Sequence, residues 1–170
     1  RKHGLPLSRP QVVFIGALSD RRKGFDTLFS AWTALCRSNE WDADLLIFAR
    51  GSEVPHWIKM AQEEGIAGKM KFLGFSKDMP EILASSDLLV LPSRYEGYSM
   101  VTQEALCCAV PVIVTRASGI AERFPPELKD LIMEDPNDVT DLVEKLKHWR
   151  EKAAHYKAAV QPLCELLRSR

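Results

Sequence analysis

The chain has 170 residues, 46% of them hydrophobic and 27% charged, the composition of one globular domain with a sizeable core. Lys plus Arg and Asp plus Glu both number 23, so the cationic excess that general nucleic-acid binding requires is missing. No apolar run is long enough to span a bilayer and no signal peptide is visible; the chain starts at Arg1 and not at Met, which reads as a fragment or a processed product.

Residues 1–10 carry Pro6 and Pro10 and no periodicity, which predicts a linker from a preceding domain and leaves 11–170 as the folded unit. Residues 11–16 (QVVFIG) form a short buried strand, and the helical spacing of Phe25, Leu28, Phe29, Trp32, Leu35 and Cys36 predicts a helix after it. A second strand is expected over 43–49, a helix over 54–64, a short strand over 70–73 ending at Gly74, and a helix over 78–85 with Pro80 in its first turn. The unbroken apolar run at 87–91 marks a central parallel strand covered on both faces. A helix over about 99–108, a strand at 111–115, a weaker one at 130–133, an amphipathic helix carrying Leu142, Val143, Leu146 and Trp149, and a helical tail toward Arg168 complete the chain. Strands alternating with helices give a doubly wound, Rossmann-like α/β fold with a parallel sheet. Its ligands bind in the loops beyond the carboxyl ends of the strands.

Three such loops carry candidate chemistry. Gly16 to Gly24 joins the first strand to the first helix and lacks the G-x-G-x-x-G of a dinucleotide fold, offering Arg21, Arg22 and Lys23 instead. A helix N-terminus prefers anions, so cations there make sense if they and the helix dipole hold a shared anionic group such as a diphosphate. On its own this segment would read as a solvated basic turn. The second loop, PSRYEGYSMV at 92–101 followed by Glu104, leaves the most hydrophobic strand. Gly97 permits close backbone approach, Ser99 is a suitable N-cap, and the amides of Ser99, Met100 and Val101 form an anion site. Glu96 stands just before it, and Glu104, one turn into the helix, leans back toward it. Ionised carboxylates there suit the recognition of sugar hydroxyls. The third segment, FLGFS at 72–76, sits at the sheet rim, where Phe75 could face a nucleobase and Arg50-Gly51 could flank the same pocket.

Other reactive side chains carry less. Cys36, Cys107, Cys108 and Cys164 form no C-x-x-C pair and lie among apolar residues, as small core hydrophobes in a reducing compartment do. His148 and His155 are joined by no carboxylate or thiol pattern that would complete a metal site.

Lys23-Gly24, Phe72-Leu73-Gly74, Pro92-Ser93, Glu96-Gly97, Gln103-Glu104-Ala105, Pro111-Val112-Ile113 and the stretch from Gly119 to Glu122 occur in the order found in retaining family-4 glycosyltransferases of the GT-B fold. The run from Leu91 to Leu106 resembles that family's E-x7-E signature. The resemblance, over about 12–122, implies the C-terminal half of a GT-B enzyme. In it Lys23, helped by Arg22, would bind the donor diphosphate and stabilise the leaving group. Glu96 would hold a hydroxyl of the transferred sugar. Gly16 would belong to the nucleotide-sugar site, the amides of Gly97, Tyr98, Ser99, Met100 and Val101 would lie near the phosphates, Glu104 would bind the ribose, and Phe75 and Ser76 would border the base. The implied substrate is a UDP-, GDP- or ADP-sugar, with no further cofactor. No metal is implied, because no Asp-x-Asp cluster stands beside the phosphate segments. The acceptor, a glycan or a lipid-linked one, would be held by an N-terminal domain absent from this chain, so the chain by itself is expected to bind donor without transferring sugar. The implied setting is cytoplasmic, and the full-length protein could associate peripherally with the inner face of a membrane.

The family often has Arg directly after the glycine of its first strand, where this chain has Ala17; Arg21 or Arg22 could supply the charge. Ala17 therefore keeps a second reading open, a non-catalytic nucleotide-binding or interaction module. A nucleotide-dependent epimerase or dehydrogenase lacks its glycine fingerprint here. A donor-half polypeptide completed by a separate acceptor-binding subunit is a further possibility.

Overall fold

A computed structural model describes residues 8–19 and 21–169. Six strands form one sheet in the order β3-β2-β1-β4-β5-β6: β1 (Gln11–Ala17), β2 (Asp44–Arg50), β3 (Met70–Phe72), β4 (Leu88–Leu91), β5 (Val112–Thr115) and β6 (Ile132–Met133). All pairings are parallel. The helices are α1 (Phe25–Cys36), α2 (Val54–Glu63), α3 (Met79–Ala84), α4 (Met100–Cys107), α5 (Val139–Glu151), α6 (Ala153–Ala159) and α7 (Gln161–Arg168). The order reverses direction between β1 and β4, the switch point at which doubly wound sheets open a ligand crevice.

Burial explains why the strands sit where they do. Every residue of β4 and β5 is buried, as are six of the seven in β2, as expected of strands covered on both faces. On one side α1 turns Leu28, Ala31, Trp32 and Leu35 inward, and α5 packs against it with Leu142, Leu146 and Trp149. Trp32 and Trp149 are fully buried. The Trp32 indole donates to the Lys69 carbonyl at 3.2 Å and meets Trp41 edge-on.

Several boundaries differ from expectation. The strand expected at 130–133 keeps only Ile132 and Met133, because residues Pro126–Leu131 wind into a 3-10 turn started by consecutive prolines. The helical tail is broken twice. α5 stops at Lys152, whose backbone is non-helical (φ −115°, ψ 29°), and α7 restarts with Pro162 in its first turn, where a missing N–H costs nothing. Residues 1–7 of the expected linker lie outside the described residues. Its last part is tied to β2: the Pro10 carbonyl accepts the Asp44 N–H at 2.9 Å, and Arg9 pairs with the Asp44 carboxylate at 3.3 Å. Among the described residues two helix starts carry a side-chain cap, at Ser99 as the sequence predicts and at Asp138, which the sequence reading did not name. Ser99 caps α4 by accepting the Thr102 N–H, and Asp138 caps α5 by accepting that of Asp141.

Candidate functional site

The loops leaving β1 and β4 meet over the switch point. Arg21–Lys23 forms a 3-10 turn, followed by Gly24 in the left-handed region (φ 69°), from which α1 starts. Gly24 touches the other loop directly: a Cβ there would lie 1.9 Å from the Pro92 carbonyl oxygen. Only glycine meets both demands.

Arg94, two residues beyond Pro92, fastens the two loops. Its backbone N–H donates to the Arg22 carbonyl at 2.8 Å. Its guanidinium grips both Asp26 carboxylate oxygens at 2.9 Å, the Asn137 side-chain oxygen at 2.8 Å, and the Arg21 carbonyl. Burial alone pushes the Asp26 carboxyl up, but the hydrogen bonds and charge of Arg94 outweigh it and hold the group below its ordinary value. Sequence reasoning missed Arg94. Its signal was an acidic residue, Asp26, in the first turn of the helix that the basic loop precedes.

This clasp brings two predicted residues together. The Lys23 ammonium and the Glu96 carboxylate, 73 positions apart in sequence, form an ion pair, with side chains only 17% and 16% exposed. The Ser93 hydroxyl donates to the same Glu96 oxygen at 3.4 Å. Glu96 and Gly97 are held from behind by the loop after β5. Glu96 bridges Ser118, and the Gly119 N–H donates to the Gly97 carbonyl at 2.9 Å. A Cβ on Gly119 would stand 2.7 Å from that carbonyl, so this glycine, too, is a matter of close approach.

The remaining predicted residues spread around this centre. Arg22 is exposed on the 3-10 turn beside Lys23, and Glu104 is exposed on α4. Tyr98 and Met100 are exposed, and the Arg123 guanidinium lies 5.2 Å from the Tyr98 ring centre. The amides of Met100 and Val101 belong to the first turn of α4, where no preceding helical carbonyl exists for them; Ser99 takes up only that of Thr102. Gly16 lies under a cleft of about 230 Å³ formed with Ile15, Ala17, Ala49, Arg50 and Phe75. The Arg50 guanidinium covers the Phe75 ring at 4.0 Å. Ser76 is half-buried and accepts the Asp78 N–H at 3.1 Å. Arg21 lines a different cleft of about 310 Å³, with Leu18, Glu53, His56 and Trp57.

The Asp-x-Asp triplet at Asp42-Ala43-Asp44 lies at the far, N-terminal end of β2. There Asp42 is engaged by Arg150 at 2.6 and 2.7 Å, a hydrogen-bonded pairing that lowers its carboxyl's pKa, and Asp44 by Arg9. Among the described residues no group of three or more His, Cys, Asp or Glu is arranged to hold a metal ion, and no helix is long and apolar enough to cross a membrane.

Comparison with known proteins gives the family and the fold. Residues 9–151 match the family described as glycosyl transferases group 1. The lipopolysaccharide glucosyltransferase WaaG of Escherichia coli is 27% identical over 167 residues, which are 92% of this chain and 44% of that protein. The N-acetyl-alpha-D-glucosaminyl L-malate synthase of Bacillus anthracis is 39% identical over 83 residues, 49% of this chain and 22% of that protein. This chain therefore spans less than half the length of either relative. Among solved structures, WaaG superposes with a TM-score of 0.83 at 21% identity over 99% of this chain and 45% of its own. Anabaena HepE, solved in complex with UDP, superposes with a TM-score of 0.73 at 20% identity, over 93% of this chain and 44% of its own. This chain has the fold of the matched part of each of these structures, the Rossmann-like α/β fold of GT-B glycosyltransferases. With most of its length accounted for by one family, this chain belongs to the glycosyl transferases group 1.

Proposed function

We propose that this chain is the donor-binding half of a retaining glycosyltransferase, taking a nucleotide-diphosphate sugar for transfer to an acceptor held by another domain. The observation that carries this reading is the meeting of Lys23 and Glu96 above the β1/β4 switch point. A cation suited to a diphosphate and a carboxylate suited to sugar hydroxyls stand side by side. In this reading Lys23 and Arg22 take the diphosphate with the Met100 and Val101 amides, and Glu96 takes a sugar hydroxyl. Glu104 takes the ribose, and Gly16, Phe75 and Ser76 surround the base. HepE, described with UDP, makes UDP the first nucleotide to try.

The chemistry asked of these groups is charge stabilisation and positioning. Breaking the anomeric bond leaves negative charge on the departing diphosphate, and Lys23, Arg22 and the α4 amides neutralise it. The acceptor hydroxyl would approach from the face the phosphate leaves. This chain covers 44% or less of the two relatives described above, so acceptor contacts and closure against water fall to residues outside it. Work at the cytoplasmic side of a membrane is part of the same proposal. The non-catalytic reading draws on one observation: Ala17, exposed at the end of β1, brings no charge to the cleft above Gly16.

The test is thermal unfolding of the chain with UDP, GDP and ADP, since a ligand that binds only the native state raises the transition temperature. One of the three is expected to do so. Nucleotide-sugar turnover by a longer protein that includes this chain separates the transferase from the non-catalytic module. No stabilisation by any nucleotide would sink both.

A further inference from the structure

Resting on that reading, we infer that the Lys23–Glu96 pair makes the site select nucleotide sugar over free nucleoside diphosphate, so that Glu96 helps expel the spent product. The argument starts from immobility. Lys23 is carried by a turn whose carbonyls at Arg21 and Arg22 are held by Arg94, and whose following residue, Gly24, abuts Pro92. Glu96 is carried by a segment clamped to Ser118 and Gly119. Both backbones are tied by these contacts, and the two side chains meet with less than a fifth of their surface exposed.

A diphosphate that reaches Lys23 must therefore share the ammonium with Glu96. Two anions about one cation, in a half-desolvated site, repel each other. What relieves the conflict depends on the ligand. A nucleotide sugar has its terminal phosphate esterified, with one charge fewer, and its hydroxyls can donate to Glu96 in place of the lysine. The carboxylate exchanges one donor for another, and Lys23 is released to the phosphate. Free UDP carries the additional charge and, at neutral pH, has no donor at that end. Glu96 then loses its lysine and gains nothing, which costs the product affinity that the donor keeps. A carboxylate placed to disfavour one ligand while accepting another is how discrimination exceeds what attraction alone provides.

The experiment is calorimetric titration of the chain and its Glu96→Gln variant with three pairs: UDP and UDP-glucose, GDP and GDP-mannose, ADP and ADP-glucose. The variant keeps shape and loses charge, and its unfolding curve reports whether it is folded. For the nucleotide that binds, Glu96→Gln is expected to tighten the free diphosphate about tenfold and to weaken the matching nucleotide sugar. In a Lys23→Met background the gain for the diphosphate should be smaller, because no lysine is set free and only the direct repulsion is relieved. Unchanged or weaker diphosphate binding in a folded Glu96→Gln variant overturns the inference. So does an equal tightening of diphosphate and nucleotide sugar, or an equal gain in both backgrounds. If the unaltered chain binds none of the six ligands, the donor-site reading falls and takes this inference with it.

Discussion

Replacing Arg94 with alanine tests whether the two loops of the site are one unit. The substitution removes a two-oxygen grip on Asp26, a bond to Asn137 and a bond to the Arg21 carbonyl, while the backbone bond to Arg22 survives. A hydrogen bond involving a charged group contributes about 1.5–3 kcal/mol, whereas an exposed ion pair contributes about 0–1. The Arg94 and Asp26 side chains are 30% and 32% exposed, which places the pair between these limits. The stranded Asp26 carboxylate would also remain near the start of α1, where the helix dipole favours it, and the Arg21 carbonyl can turn to water. A loss of about 2 kcal/mol follows, or about 4–8 °C in Tm for a chain of this size. Urea unfolding of the chain, Arg94→Ala, Asp26→Ala and the double variant should give a coupling of about 1 kcal/mol between the two residues. The same Arg94→Ala variant should bind its nucleotide more weakly, although Arg94 touches no proposed ligand. Full stability, or zero coupling, would show that the loops hold their places without the clasp.

Gly24→Ala should prevent folding or cost more than about 3 kcal/mol, since a left-handed backbone is joined by a steric overlap with Pro92. Gly65→Ala, at φ +70° with open space around it, should cost only about 1 kcal/mol; unfolding curves of the two variants check the contrast. Asp26 carries a pH signature. Its folded carboxyl titrates below the ordinary 3.8, so the native state holds that proton less tightly than the unfolded chain does. The stabilisation is complete above 3.8 and is lost as the pH falls through the folded value. The stability difference between the unaltered chain and Asp26→Asn, followed by denaturant titration, should shrink over that acid range and stay level above it. Glu104→Ala should weaken nucleoside-diphosphate binding about 10- to 100-fold in calorimetry, the equivalent of one charged hydrogen bond; equal affinities would remove Glu104 from the ribose.

The strand positions were legible because parallel strands buried on both faces are apolar throughout, as the run at 88–91 is. Lys23 and Glu96 were legible as chemistry, since each breaks the pattern of its surroundings, but their contact was not. It depends on β1 and β4 being neighbours in the sheet, a relation that no local spacing encodes. Arg94 went unnoticed for the same reason: its partners Asp26 and Asn137 lie 68 and 43 positions away. Arg21, offered alongside Arg22 to make up for Ala17, shows how a run of like charges hides divergence. In a 3-10 turn successive side chains point about a third of a turn apart, and Arg21 ends beside Glu53 and His56 while Lys23 meets Glu96. The breaks in the C-terminal helices were not foreseen: Lys152 has no feature that forbids a helix, and Pro162 marks only the start of α7.

The ladder between β1 and β2 runs the full length of both strands, while β1 and β4 share two register pairs, Val12 with Leu88 and Val13 with Leu89. The Lys23–Glu96 contact bridges the rim directly above that short seam, one residue from the loop after each strand. A molecule seated between those two side chains would act as a rivet across the seam. Its binding energy would add to the Arg94 clasp and the Gly119 contact in keeping the two loops at one spacing.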